Sequence, residues 1–338
     1  MKETENAVLN VCFCFKDSSG NYYIHTLVAL TSIFENTTAR IRVHLICDDT
    51  LSESSKQAFR QLVARYGHEV LIHAVPPLSE AVVNNVKGDF GIGTVFRLFL
   101  PGIIKENSVL YLDCDTICTL DIRDIFAAKP VALPAAGAPD VGQRADRESA
   151  ARIRSLKLDP GHYVNSGVIV FDLERMRADY PDYTRATFAC LEQQCLKYVD
   201  QDALNIYFQN RKVDICALPE EYNFIVGFRD REFFKPEEYA GKILHYTRDK
   251  PWDALYPAGL FYWKYYALAF SPEEAFARME QLRKHKYAYL FNFTLQKPGI
   301  RRMINRALQI AEQGVWATLL DRLFPGRKKK KNAARRLG

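Results

Sequence analysis

Short apolar runs alternate with amphipathic stretches through the first part of the chain. "VLNVCFCF" (Val8–Phe15), "RVHLICDD" (Arg42–Asp49) and "EVLIHAV" (Glu69–Val75) read as strands. Between them "HTLVALTSIFEN" (His25–Asn36) and the segment from Leu51 to Tyr66 repeat apolar residues at helical spacing. Thr50 and Glu53 form a candidate capping box for the second of these helices. Further on, "VLYL" (Val109–Leu112), "VALPAA" (Val131–Ala136), "YVNSGVIVFDL" (Tyr163–Leu173), "KVDICALP" (Lys212–Pro219) and "KILHYT" (Lys242–Thr247) read as strands. "PDYTRATFACLEQQCLKYV" and "QDALNIYFQN" read as helices. The alternation predicts an α/β fold with a mainly parallel sheet flanked by helices on both faces. Ligands of such sheets collect at the carboxyl ends of the strands. The polar stretch Ala136–Ser155 reads as a strand-free, mobile excursion beside that edge.

With 338 residues, 48% hydrophobic and 25% charged, the composition is that of a folded globular protein, and disordered or fibrous classes are excluded. The opening "MKETENAVLNVCFCF" has acidic residues where a secretion signal needs a basic start, so no such signal is expected. The most apolar later window, Leu255–Phe270, contains Lys264 and several tyrosines and is too short to cross a bilayer. The eight cysteines have no metal-type spacing, which suits reduced, buried thiols in a cytosolic protein. The sequons at Asn36 and Asn292 then carry no glycan.

The net charge is +6, and the segment from Arg327 onward carries seven basic residues and no acid, leaving the rest of the chain at −1. Basicity is a property of the tail, and the body offers no basic groove for nucleic acid. Just before it, Trp316, Leu319, Leu320, Leu323 and Phe324 share one helical face, followed by Lys328–Lys331. An amphipathic helix with a basic cluster suits an anionic membrane surface. The expected organisation is a catalytic domain over 1–270, a helical extension over 271–326 and a basic tail over 327–338.

Asp113 and Asp115 leave the end of the apolar run Val109–Leu112, and a buried sheet edge cannot accept two such charges uncompensated. In an extended segment, residues i and i+2 face the same side, so both carboxylates point to one hard cation. Oxygen ligands of this kind suit magnesium, manganese or calcium.

"FRLFLPGII" lies upstream, and "VNSGVIVFDLERMR", "VDQDALNIYF" and "ILHYTRDKPW" follow in order. With these, the segment "YLDCDTICTLDI" resembles the DxD region of glycosyltransferase family 8, a retaining family of GT-A fold, over roughly Val8 to Tyr266. The resemblance implies a Rossmann-like GT-A fold with a C-terminal helical extension and a UDP-hexose donor. It also implies a divalent metal, manganese or alternatively magnesium, held by Asp113, Asp115 and His245. On its residues alone His245 reads as a core histidine, and the "KPW" that follows reverses that reading.

The resemblance further places Arg97, Cys114, Asn165, Ser166 and Gly167 at the donor sugar, and Lys250 beside the phosphates. Asp17 and Asn21 stand where the nucleotide is met, although "KDSSGNYYIH" departs from the family's shorter turn there. Val95 replaces the usual tyrosine two places before the arginine, and the loop from His245 to Lys250 is one residue short. Asp200 and Gln201 match the reactive face. An amide is a poor nucleophile, so attack from the leaving group's own side is expected. Asp140 is the candidate acceptor contact. Bacterial lipopolysaccharide and lipooligosaccharide transferases of the family share this size and layout. The expectation is a glucosyl- or galactosyltransferase acting on a cell-surface glycan or glycolipid, cytoplasmic and peripheral to the inner face of the membrane. The rival is a catalytically silent nucleotide-sugar or glycan-binding protein of the same fold. A sugar-phosphate nucleotidyltransferase would need a glycine-rich loop that "KDSSGNYY" does not supply.

Overall fold

Val11, Cys12, Phe13, Cys14 and Phe15 are all buried along β1 (Leu9–Phe15), as a strand covered on both faces requires. The computed structural model describes residues 8–86, 91–227 and 236–294, and the chain packs as two units divided between Arg248 and Asp249, ahead of residue 270.

In the first unit β1 is followed by β2 (Ile41–Cys47), β3 (Glu69–Ala74), β4 (Ser108–Leu112), β5 (Thr116–Cys118), β6 (Ala135–Pro139), β7 (Val164–Asp172), β8 (Phe224–Ile225) and β9 (Ile243–His245). A six-stranded sheet has the order β3-β2-β1-β4-β7-β6, and a three-stranded one the order β5-β9-β8. β1 is parallel to β2 and β4, β2 is parallel to β3, and β7 alone runs against its neighbours β4 and β6. The mainly parallel α/β sheet expected from the alternation is therefore present. Helix Tyr22–Asn36 buries Leu27, Val28, Leu30, Ile33 and Phe34, and helix Glu53–Arg65 buries Phe59, Leu62 and Val63.

Four local expectations are corrected. Ser52, not Thr50, caps Glu53–Arg65, its hydroxyl accepting the Ser55 N–H at 3.1 Å. The Thr50 hydroxyl instead accepts the Asp17 N–H at 2.8 Å, tying the ends of β1 and β2 together. Residues 136–155 are neither strand-free nor an irregular excursion. They complete β6 and then form helices Val141–Ala145 and Arg147–Ser155, capped by Asp140 and Asp146. "KVDICALP" forms no strand, only a single bridge from Cys216 to Gly137, and the helix expected across Pro181–Val199 spans Tyr183–Gln193.

All eight cysteines are free; Cys12, Cys14, Cys47, Cys114 and Cys118 are buried, while Cys195 is exposed, against expectation. In the second unit, helices Leu260–Ala269 and Pro272–Thr294 follow one another. The Trp263 indole donates to the Pro251 carbonyl at 3.1 Å, and the Tyr266 hydroxyl to Glu274 at 2.7 Å. No described helix is long and apolar enough to cross a membrane. The apolar face Trp316–Phe324, the lysines 328–331 and the rest of the basic tail lie outside the described residues.

Candidate functional site

The strand order turns back between β1 and β4, and a crevice opens at the carboxyl ends of strands wherever an α/β sheet does this. Asp17 follows β1 and Asp113 follows β4, so both stand at that edge. Because β7 is antiparallel to β4, with Leu112 opposite Val168, its first residues Asn165, Ser166 and Gly167 arrive at the same edge.

Asp113–Thr116 is a turn and not the extended segment expected: the Thr116 N–H and hydroxyl both donate to the Asp113 carbonyl, at 3.2 and 2.8 Å. The turn passes the chain from the large sheet into β5 of the small one, so its curvature, and not strand alternation, brings Asp113 and Asp115 together. Cys114 between them is buried, and desolvation pushes its thiol well above the usual range, a hydrogen bond with Thr26 acting in the opposite direction.

β9 pairs antiparallel with β5, setting His245 opposite Thr116, and the Tyr246 N–H closes on the Asp115 carbonyl at 3.0 Å. His245 Nε2 then lies 3.2 Å from Asp115 Oδ1 and 3.6 Å from Asp113 Oδ2. Ligand atoms of all three residues lie within 4.8 Å of one another. His245 is 3% and Asp115 8% exposed, so few waters compete for these groups.

Gly167 is what lets this cluster close. A Cβ there would lie 2.2 Å from His245 Cε1 and 2.8 Å from Asp113 Oδ2, both impossible contacts. Gly167→Ala is therefore expected to displace the imidazole and to weaken any divalent cation held by the cluster by about 10–100-fold, the range that follows when the surroundings of a ligating histidine are disturbed. Manganese titration of the variant, alongside its melting curve, is the check.

Beneath the cluster Arg97 is 3% exposed and fully engaged. Its guanidinium reaches Asp113 Oδ1 at 2.8 Å and Asp200 Oδ2 at 3.1 Å, and donates to the Ser166 carbonyl at 2.6 Å and the Thr94 carbonyl at 3.0 Å. It also stacks over the Tyr111 ring at 4.4 Å, and the Tyr111 hydroxyl donates to Asp113 Oδ1 at 2.5 Å. Burial works to lower the Arg97 pKa, but the carboxylates of Asp113 and Asp200 outweigh it and hold the guanidinium well above its ordinary value. Burial raises the Asp200 pKa, with Arg97 opposing. Asp200 and Gln201 open helix Val199–Asn210, both buried. Neither makes a capping bond there; Asp200 instead accepts from the Ser166 hydroxyl at 3.0 Å.

Asp140 is 5% exposed, and its Oδ2 accepts from Asn165 Nδ2 at 3.1 Å and Gln201 Nε2 at 3.0 Å. Gln201 Oε1 accepts from the Ser166 N–H at 3.1 Å. Asn165 Oδ1 accepts from the Gly167 N–H at 3.0 Å and from Asn223 Nδ2 at 2.9 Å, and Asn223 Oδ1 lies 2.8 Å from His245 Nδ1.

Asp17 is 2% exposed; Oδ1 accepts the Tyr22 N–H at 2.6 Å, Oδ2 has no hydrogen-bond partner, and burial raises its pKa. Asn21 is exposed, and its amide donates to the Ser19 carbonyl at 3.3 Å. Lys250 belongs to the second unit, where its carbonyl accepts from the Asp253 N–H at 3.1 Å.

The structure thus brings together Asp113, Asp115, His245, Gly167, Arg97, Ser166, Asp200, Gln201, Asn165 and Asp140. Sequence reasoning missed Tyr111 and Asn223. Tyr111 was read only as strand core, and Asn223, in "LPEEYNFIV", carries no local signal of its contact with His245.

Two carboxylates and one imidazole form a mixed oxygen and nitrogen set. Carboxylates suit manganese or magnesium, while imidazole disfavours the hardest ions, so manganese fits this set best. The missing Cβ at position 167 leaves the His245 ring room to stand beside Asp113 and so lets the three donors converge.

Residues 11–255 match the model of glycosyl transferase family 8. A lipopolysaccharide 1,2-glucosyltransferase of Escherichia coli is 26% identical over 79% of this chain and 80% of its own length. Glycosyltransferase GlyA of Streptococcus pneumoniae is 26% identical over 64% of this chain. The chain spans only 29% of GlyA, 23% of the probable glycosyl transferase Gly of Streptococcus gordonii, and 60% of the Escherichia coli K12 lipopolysaccharide 1,2-glucosyltransferase. Among solved structures, the galactosyltransferase LgtC in complex with donor and acceptor sugar analogues superposes with a TM-score of 0.64 at 21% identity, over 80% of this chain and all of that one. The apo bifunctional glycosyltransferase WbbM gives 0.63 at 19% identity, over 83% of this chain and 53% of that one.

Proposed function

The chain belongs to glycosyl transferase family 8, and from that premise we propose that it is a metal-dependent, retaining hexosyltransferase moving glucose or galactose from a UDP-sugar to a cell-surface glycan or lipid-linked acceptor. The observation that carries this reading is the convergence of Asp113, Asp115 and His245 at the switch point of the sheet. A divalent cation held there, manganese or magnesium, supplies a Lewis acid for the charge that develops on the diphosphate as the sugar leaves. Arg97 holds Asp113 and Asp200 in place from below, so the carboxylates keep their orientation when no ion is bound.

In this reading Asp17 and Asn21 meet the nucleoside, and Lys250 adds charge beside the phosphates. Cys114, Asn165, Ser166 and Gly167 line the path of the donor, with Asp140 toward the acceptor. Gln201 lies on the reactive face. Its amide is held at both ends, by the Ser166 N–H and by Asp140, and so presents a fixed dipole and not a nucleophile. That favours attack from the leaving group's own side, with Asp200 as the neighbouring residue in the chain and the Asp140 carboxylate 3.0 Å from the amide.

The acceptor class is supported by the Escherichia coli relative, a lipopolysaccharide 1,2-glucosyltransferase matched over most of both chains. Catalysis is assigned to residues 1–270. The helical extension 271–326 and basic tail 327–338 are assigned to an anionic membrane surface on its cytoplasmic face, on the strength of their sequence alone.

The test is release of UDP from UDP-glucose and UDP-galactose by the purified protein. Turnover is expected with manganese, to vanish with EDTA, and to return when manganese is restored in excess. No release from any UDP-hexose, with or without a lipooligosaccharide acceptor, would sink the proposal in favour of a silent binding protein.

A further inference from the structure

We propose that Asn205 is a positioning residue that anchors a bulge in β7 to helix Val199–Asn210, and so sets the distance between Asn165–Gly167 and Gln201. The register reveals the bulge. Gly137 on β6 stands opposite Ile169 and Pro139 opposite Val164, so two steps along β6 are matched by five along β7. Three residues of β7 are therefore surplus to the ladder, and they fall among Asn165, Ser166, Gly167 and Val168. Bulges of this kind occur beside active sites, where they re-aim side chains.

A bulged strand loses ladder bonds, and its buried peptide groups must find partners elsewhere. At Val164 the partner is one side chain. Asn205 Oδ1 accepts the Val164 N–H at 2.9 Å, and Asn205 Nδ2 donates to the Val164 carbonyl at 3.0 Å. β6 offers that carbonyl nothing, since Pro139 has no N–H and the Asp140 N–H goes to the Tyr163 carbonyl at 3.0 Å. The amide cannot be turned around, because an N–H needs its oxygen and a carbonyl needs its nitrogen. Nδ2 also donates to the Gln201 carbonyl at 2.8 Å, one helical turn back. Asn205 is 1% exposed, so water does not replace these bonds. Two residues further along β7, Gln201 Oε1 takes the Ser166 N–H and Arg97 takes the Ser166 carbonyl. Asn205 thus fastens the foot of the bulge to the helix whose first turn carries Gln201.

The consequence for turnover rests on reading Gln201 as the reactive face and Asn165–Gly167 as the path of the donor; the anchor itself does not. The first measurement is therefore amide hydrogen exchange of the ligand-free protein, resolved by residue. In wild type the Val164 amide is expected to be protected like the ladder amides of β7, and rapid exchange there overturns the proposal. In Asn205→Ala, exchange at Val164 and Ser166 is expected to rise about 10–100-fold, as loss of a buried partner implies, with Ile169 and Phe171 unchanged. The second measurement is turnover with UDP-hexose and manganese. Asn205→Ala is expected to lower kcat about 100-fold, the cost of an ångström of misplacement, with UDP affinity and the number of UDP sites per chain within about twofold of wild type. Loss of UDP sites in proportion to kcat would mean that the variant merely unfolds, and would overturn the positioning role. Should Asn205→Ala yield no folded protein, Asn205→Asp takes its place with the same expected split: it keeps an acceptor for the Val164 N–H but sets an oxygen against two carbonyls. If wild type turns over and the folded variant matches it, this inference fails while the proposed function stands. If wild type releases no UDP, the proposed function fails, and hydrogen exchange still decides the anchor.

Discussion

Asp113→Asn combined with Asp115→Asn is expected to lower hexose transfer by at least about a thousandfold while the protein melts as cooperatively as wild type. The size follows from charge: on the proposed reading, an ion held by Asp113 and Asp115 would stabilise a departing diphosphate by several kcal/mol, and each 1.4 kcal/mol is a factor of ten in rate. An amide keeps the shape and one oxygen of each carboxylate but gives up the charge that holds the ion. Stability has the opposite tendency. In the ion-free protein the two carboxylates stand close together, and neutralising like charges at such range removes repulsion. Arg97 keeps Asp200 as its counter-charge in the variant. Initial rates with UDP-hexose and manganese, together with thermal unfolding by circular dichroism, measure both halves. Wild-type turnover in the double variant would show that the aspartates hold no catalytic ion.

Arg97→Met is expected to destabilise the protein by about 3–5 kcal/mol, the usual cost of stripping one partner from a buried ion pair. Asp200 is 4% exposed and would be left with the Ser166 hydroxyl as a neutral donor, while Asp113 would keep Tyr111. Urea unfolding of the variant gives the number. Arg97→Lys is expected to recover only part of it. A lysine is a point charge, whereas the guanidinium spans two carboxylates and the Ser166 and Thr94 carbonyls at once. Adding Asp200→Asn to Arg97→Met should restore stability relative to the single variant, since the second change removes the charge that the first left uncompensated. Strict additivity of the two losses would mean that the pair does not act as a unit.

The central strands were legible because a sheet covered on both faces demands continuous apolar runs, which β1, β2, β4 and β7 supply. The acidic pair and His245 were legible because chemistry needs those residue types at strand ends. The means of their convergence was not: a strand running on and a turn into a second sheet place the same residues in the chain, and only the Thr116 contacts tell them apart. β6 was read four residues early, over Val131–Ala136, because "AAGAP" itself has small residues and a proline, poor strand formers that an edge position tolerates. The helices over 141–155 were hidden by their polarity, since together they bury only Ala150 and Ile153. Asn223 was invisible for another reason. Its partner is 22 residues away, brought alongside by the parallel pairing of β8 and β9, and nothing in a single polar residue encodes a contact of that range.

The candidate ion-binding cluster straddles two sheets, and they are completed at different times as the chain leaves the ribosome. All six strands of the large sheet are present once Asp172 has been made, whereas β9, the middle strand of the small sheet, arrives only with Ile243–His245. A nascent protein therefore acquires its hydrophobic framework well before it acquires the imidazole, and until then the aspartates have no third ligand. Any cation that needs all three donors can settle only after the middle strand of the small sheet has been added.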